Sequence, residues 1–480
     1  MLARFQAARQ LYNACLNEAL LRMSLVKNSE PYQQAKNMRG GDKKRRAELF
    51  AQARKQYRFS EYDLGDFGTT TSKASKWMDD KLGSQEKQVL GKRAFKAVEK
   101  ILFGRAKKVK FKVPSRFRSM QGKSNATGIS VKFDKITNPN KLDKGDYRKK
   151  IVCSGREIIK VVWNKLILEP IIDWDNPVVV HGIKSNIKYC RILWRNLNGK
   201  RRWYVQLINE GLPYQKPQNY TKLGIVGLDI NIYNVAFVAN YKAGLLPFAD
   251  KVPTYEKEIK TLQRKMQRSQ RINNPVNFEL DFDDKIGNKI VRKKGKVKPG
   301  KKQWIKSRNY RRIQAKKAEI ERNKSAYTKS QNRKLVNDIL RHGNVIKTEN
   351  VSIKTWQKRY GKAISAKSPG FFQSELARKA ESAGGQFIKF STQKTALSQT
   401  HLDGTRIKKK LSERVHYDVT GIQPMHRDLF SAFLARCVYG DKLSLWDAQC
   451  EYPGMESFLQ DAWEVHQKSA KQVAECCLRE

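Results

Sequence analysis

Ninety-eight lysines and arginines stand against 45 aspartates and glutamates in this chain, a formal net charge of +53 over 480 residues. A folded body with that excess repels itself, so a large polyanion is the natural counterweight. The charge does not belong to a disordered polybasic tail. Aromatics make up 10% of the chain and hydrophobic residues 39%, enough to bury real cores. The balance argues against a soluble enzyme of small metabolites. No stretch of about 18 apolar residues occurs, so no transmembrane helix and no membrane partner is expected. Met1-Leu2-Ala3-Arg4 leads into polar residues rather than into a signal-peptide core. The seven cysteines are scattered and form no C-x-x-C pair. They read as reduced thiols of a cytoplasmic, nucleoid-associated protein.

At about 150 residues per domain, the length suggests roughly three structural units. Leu11, Cys15, Leu16, Ala19, Leu20 and Met23 recur at three- and four-residue steps, as do Ala94, Val98, Ile101 and Leu102. Residues 1–104 are therefore expected to be helical. The period then changes. Lys108-Val109-Lys110-Phe111-Lys112-Val113 alternates strictly and predicts a half-buried strand ended by Pro114. Ile129 to Phe133 and Ile158 to Ile167 predict further strands, and Asn198-Gly199 predicts a hairpin turn. Residues 105–220 thus read as a small β domain, with Pro213, Pro217 and Asn219 in a linker.

A third unit spans 221–445. Gly224 to Asp229 is a short buried strand ending in a carboxylate, with Val235 to Ala239 as its partner. Residues 255–340 form a basic helical insert. Its 285–324 stretch carries seventeen Lys or Arg against Glu319 and Glu321, a run expected to be ordered by nucleic acid rather than by the protein alone. Asn344 to Glu349 is another strand ending in a carboxylate, Gln386 to Phe390 one more, and Leu429 to Val438 an apolar-faced helix. Residues 446–480 read as a helical tail.

Asp229 and Glu349 each end a strand, and Asp428 opens a helix. Phosphodiester hydrolysis uses such a set to hold two divalent ions, one activating water and one steadying the leaving oxygen. Magnesium prefers oxygen ligands and keeps several waters, so two or three carboxylates on rigid element ends suffice. Any one of these acids alone would more often be a cap or a solubilising group.

Their flanks carry a resemblance. Gly227-Leu228-Asp229-Ile230-Asn231, Thr348-Glu349-Asn350-Val351-Ser352 and Arg427-Asp428-Leu429-Phe430-Ser431-Ala432 resemble the three RuvC motifs of the TnpB family of RNA-guided nucleases and the type V CRISPR effectors related to it. Gln10 to Leu16 resembles the family's first recognition helix. Trp203 to Leu207 resembles a strand of its wedge domain, and Lys379 to Gly385 the run before its target-binding insert. The likeness covers most of residues 5–440. It implies an α+β multidomain fold: a helical recognition lobe, a wedge-type β-barrel and an RNase H-like RuvC nuclease domain. It implies a guide RNA and target double-stranded DNA as partners, a short flanking motif, and cleavage at a magnesium site of Asp229, Glu349 and Asp428, with two ions. Phosphate contacts would dominate, mostly without reading sequence.

The chain departs from the family as well. The segment at 395–425 lacks the four cysteines that bind structural zinc in close relatives. His401, Asp403, His416 and Asp418 offer a weak substitute at most, so no zinc is expected. Asn231 replaces a glycine common after the first motif, and one wedge strand is expected to be missing before the first helix. His426 reads as a phosphate contact or a surface residue. Lys108, Lys110, Lys112, Arg116 and Arg118 suit a phosphate track, though a solvated strand face explains them as well. Ser84, Gln85 and Gln88 lie in a stretch similar to the family helix that faces the flanking-motif duplex, and Gln reads adenine edges. Arg311 and Arg312 are further candidate contacts within the basic run. The competing functions are an RNA-guided DNA binder that silences without cutting, and a general basic nucleic-acid protein with no guide.

Overall fold

The computed structural model describes residues 1–38, 42–133, 159–249, 251–286, 289–300, 302–410 and 412–478. The chain divides into two compact units, Met1–Tyr214 and Gln215–Glu480.

The first unit opens with six helices: α1 (Leu2–Asn28), α2 (Glu30–Asn37), α3 (Lys43–Gln56), α4 (Glu61–Lys73), α5 (Lys76–Lys81) and α6 (Ser84–Leu102). The predicted stripe on α1 is its buried face: Leu11, Cys15, Leu16 and Ala19 are fully buried, and they join Leu64 of α4 and Leu90, Ala94 and Val98 of α6 in one core. Strands follow: β1 (Ser119–Gln121), β2 (Ile129–Phe133), β3 (Ile159–Trp163) and β4 (Leu166–Leu168). Helix α7 (Pro177–Lys184) leads into β5 (Ile187–Leu197) and β6 (Lys200–Asn209), a hairpin turned at Asn198-Gly199. Both turn residues have positive φ, 50° and 76°, the backbone that Asn and Gly accept at least cost.

These segments share a core with the helices. The Phe5 ring lies 5.2 Å from Trp203, 5.9 Å from Trp163 and 6.2 Å from Phe117. Two expectations are corrected here. Among the described residues the strands form two separate three-stranded sheets, β1-β5-β6 and β2-β3-β4, and no closed barrel. Residues 108–113 belong to no sheet. Alternation specifies an extended backbone, whereas a strand also needs a ladder. Asn13 of α1 takes that place for Lys112: its Oδ1 accepts from the Lys112 N–H at 2.8 Å and its Nδ2 donates to the Lys112 carbonyl at 3.0 Å.

The second unit is built on five strands: β7 (Ile225–Ile230), β8 (Asn234–Ala239), β9 (Lys242–Pro247), and later β12 (Val345–Glu349) and β13 (Gln386–Phe390). Their order is β13-β12-β7-β8-β9. The first three in sequence run antiparallel, and β12 and β13 run parallel to β7. Helix α8 (Val252–Asn273), the hairpin β10 (Phe282–Ile286) and β11 (Lys289–Lys293), and helix α9 (Arg308–Leu340) fill the connection between β9 and β12. The basic run therefore has protein partners of its own. Ile320 of α9 packs with Ile259 and Leu262 of α8, and Lys324 pairs with Glu256 at 2.9 Å.

Two helices follow β12, α10 (Ile353–Lys367) and α11 (Pro369–Ser382). After β13 come the short α12 (Thr392–Thr395), then α13 (Arg427–Arg436) and α14 (Leu445–Leu478). Side chains alternate across a sheet, and here the alternation sorts two cores. Val226, Leu228, Ile230 and Ile346 face α9 and α11. Ala236, Val238, Leu245 and Phe390 pack in the other core with α13 and α14. The segment read as a tail thus shares the core of α13: Tyr452 and Leu459 pack with Phe430 and Phe433.

Candidate active site

β7 and β12 pair in parallel with Leu228 opposite Thr348, so the next residues, Asp229 and Glu349, are neighbours on one face. That face carries Gly227, Asp229 and Lys347, the odd positions of the alternation. Helix α13 lies against it. It comes close because Gly227 has no side chain: a β-carbon there would fall 2.0 Å from the Ala432 carbonyl oxygen. At the C-terminal end of α13, Lys347 Nζ donates to the Arg436 carbonyl at 2.7 Å, and the Arg436 guanidinium reaches Asn240 Oδ1 at 2.9 Å. At its N-terminal end, His426 Nδ1 accepts from the Asp428 N–H at 3.2 Å. Asp428 thereby stands in the first turn of a helix fixed at both ends.

The three predicted acids are brought together. Burial, then the negative charges of Asp428 and Glu349, push Asp229 well above the usual carboxylate range, with Arg427 and Arg414 opposing. Burial pushes Glu349 up to about 7, against a backbone hydrogen bond from Leu397. Acids held where they repel one another favour a cation of high charge, and oxygen donors on strand and helix ends suit magnesium. The donor set fits that ion.

Residues around Asp428 were not singled out as site residues by sequence. Asn231 Nδ2 donates to Asp428 Oδ2 at 2.7 Å. Arg414 Nη1 lies 3.8 Å from the same oxygen, and Arg427 Nε 3.8 Å from Oδ1. The sequence marks Asn231 only as a replacement for a glycine two residues after Asp229; nothing in the sequence marks Arg414. His426 is a buried helix cap rather than a surface residue, 8% exposed.

The segment at 395–425 brings His401, His416 and Asp418 within 4.8 Å of one another, measured between one donor atom each. Asp403 stays outside, its carboxylate taken by the N–H and hydroxyl of Thr405. The cluster is closed by hydrogen bonds. Asp418 Oδ2 meets His416 Nε2 at 2.8 Å and the Leu402 N–H at 3.0 Å, while Oδ1 accepts from Thr420 N and Oγ1. Lys409 Nζ abuts His416 Nδ1, and the Val419 N–H donates to His401 Nδ1 at 3.1 Å. Burial holds His416 down at about 4. Burial raises Asp418, but its hydrogen bonds prevail and hold it at about 2. His401 Nε2 alone is buried without a partner. With no thiolate and most lone pairs engaged, the donors do not fit a closed zinc site.

The other candidates are spread. On α6, Ser84 is exposed, Gln85 and Gln88 are half-buried, and Gln88 Oε1 accepts from Lys123 Nζ at 3.1 Å. Lys108, Lys110 and Arg116 are exposed, and Lys112 is half-buried. Arg118 lies over the Trp194 ring at 5.3 Å and donates to the Ser115 carbonyl. Arg311 and Arg312 are exposed on α9. No helix among the described residues is long and apolar enough to cross a membrane.

No protein-family model matches the sequence, and no curated protein matches it. Among solved structures, the chain is similar to Cas12f1 in complex with sgRNA and target DNA, at 11% identity and a TM-score of 0.47, over 90% of this chain and 80% of the other. It is also similar to a CRISPR-Cas12f ternary complex, at 10% identity and a TM-score of 0.32, over 91% and 82%.

Proposed function

We propose that the chain is an RNA-guided DNA endonuclease that binds a structured guide RNA, opens target duplex beside a short flanking motif and hydrolyses DNA phosphodiesters at Asp229, Glu349 and Asp428. The observation that carries this is the convergence of the three acids, from two adjacent parallel strands and one helix end, at a place where burial and mutual repulsion raise Asp229. The flanks of the acids, the order of the five strands and the net charge of +53 support the same reading.

In this proposal Asp229, Glu349 and Asp428 hold two magnesium ions, which supply water activation and charge neutralisation at the scissile phosphate. The chain's own work is positional. β7 and β12 fix the separation of Asp229 and Glu349, and α13 presents Asp428 to both. Arg414, with its side chain 57% exposed beside Asp428, is free to meet a phosphate oxygen of an entering strand. The 395–425 segment holds no tightly bound zinc and keeps its shape through the His401, His416 and Asp418 hydrogen bonds.

The test is to sequence the RNA that co-purifies with the chain, then to supply it with matched DNA and magnesium. One discrete, structured RNA and cleavage lost in D229N support the proposal. A random RNA mixture supports a general nucleic-acid protein. A discrete RNA with tight target binding and no cleavage supports a silencing binder.

A further inference from the structure

Asn231 continues the alternation that sets Gly227 and Asp229 on one face of β7, while the intervening Ile230 is buried toward the opposite core. Its backbone N–H donates to the Asn234 carbonyl at 3.0 Å and closes the turn into β8. A side chain rooted in that turn points back toward α13, and its Nδ2 donates to Asp428 Oδ2 at 2.7 Å. One bond thus joins the strand of the first acid to the helix of the third, across 197 residues of sequence.

The arginines and the imidazole near Asp428 stand farther away. Arg414 Nη1 and Arg427 Nε are each 3.8 Å from a carboxylate oxygen, and His426 Nδ1 is 4.0 Å from Oδ2. These are beyond hydrogen-bond distance. Among the described residues, Asn231 is the side chain that hydrogen-bonds this carboxylate. A neutral donor suits the task. It fixes one oxygen and so the carboxylate plane, yet leaves the negative charge for an incoming cation. An arginine at the same distance would cancel that charge and compete with the ion.

We infer that Asn231 is a positioning residue of the carboxylate site: its amide holds Asp428 in the orientation that shares a divalent ion with Asp229 and Glu349. The inference rests on the metal-site reading of the three acids. Partners that orient a metal ligand are typically worth about ten- to a hundredfold in metal affinity. A residue that served only to hold the fold would show itself in stability instead.

The experiment uses the full-length chain with no nucleic acid present. Manganese binding is measured by titration calorimetry for wild type, N231A, N231Q and D229N, and each thermal midpoint is measured in chelator. N231A is expected to bind manganese about tenfold more weakly than wild type, with an unchanged midpoint in chelator. N231Q, which keeps the donor, is expected to recover most of the affinity. Wild-type affinity in N231A, with binding lost in D229N, overturns the role of Asn231 and leaves the three-acid site standing. Affinity lost in N231A only together with a lowered midpoint in chelator makes the residue structural and also overturns it. Undiminished binding in D229N rejects the three-acid metal site itself, and this inference with it.

Discussion

Gly227 and Ala432 meet where a strand and a helix cross, so closely that a β-carbon on Gly227 would lie 2.0 Å from the Ala432 carbonyl oxygen. Backbone atoms on a buried helix cannot step aside as a flexible side chain would. Replacing Gly227 with alanine must push α13 off the sheet, at a cost of about 1–3 kcal/mol. The expected outcome is a clearly lower midpoint of urea unfolding in G227A, with weakened divalent binding because Asp428 moves with the helix. An unchanged midpoint would mean that the helix is not seated this closely.

The acids themselves give the second prediction. D229N, E349Q and D428N should each lower DNA cleavage by at least about a hundredfold, since each removes a shared ligand. Guide and target binding, measured by gel shift, should change little. Losses that add independently across the three variants would argue against a common ion.

A third prediction follows from burial at the site. Glu349 is raised to about 7 from an ordinary 4.5, and Asp229 is raised well above its usual range. A carboxyl raised in the folded state keeps its proton where the unfolded chain has lost it. Its contribution to stability is full below the unfolded value and is lost as pH rises through the folded one. In chelator, wild type should therefore lose stability relative to E349Q between about pH 4.5 and 7. Divalent ions need the carboxylates, so manganese binding near about pH 6.5 should release protons. Calorimetry in buffers of different ionisation enthalpy reads that release directly, and its absence would place Glu349 already ionised.

Much of this was legible because it is local. The three- and four-residue steps on α1, the Asn198-Gly199 turn and the strands ending at Asp229 and Glu349 are all written in short windows. What escaped depends on partners far away in sequence. The alternation at 108–113 predicted a strand, but the segment belongs to no sheet, and the Lys112 backbone pairs instead with Asn13, about a hundred residues earlier. The two sheets of the first unit share a core but are not joined by a ladder, and which strand edges pair is likewise not written in a short window. His426 read as a phosphate contact or a surface residue because its capping bond and burial appear only once α13 is seated. Asn231 was visible as an oddity beside Asp229, but its bond to Asp428 spans 197 residues and no local pattern announces it.

Charge supplies the fourth prediction. With +53 on the chain, binding to duplex should rest on phosphate contacts. Affinity should then fall by roughly three orders of magnitude or more between low and moderate salt. Filter binding across a salt series measures the slope, and a nearly flat response would contradict the phosphate-dominated reading.

The 395–425 segment gives the fifth. Elemental analysis of purified protein should find zinc well below one per chain, and guided cleavage should survive a zinc-selective chelator while magnesium is in excess. Removing a partner from the buried cluster should matter more than removing metal. D418A should lower the unfolding free energy by about 2 kcal/mol or more, because His416, Leu402 and Thr420 all lose their acceptor oxygens. Stoichiometric zinc would reject this account of the segment.

Every residue of α13, from Arg427 to Arg436, is buried. A helix with no side toward water has no slack: it cannot fray, slide or tilt without opening the body around it. Its amide hydrogens are therefore shielded until that body opens as a whole, and the place of Asp428 is as durable as the core itself. Any gating of the acid cluster then falls to what approaches it, the entering strand and the side chains at its rim, while the helix stays still.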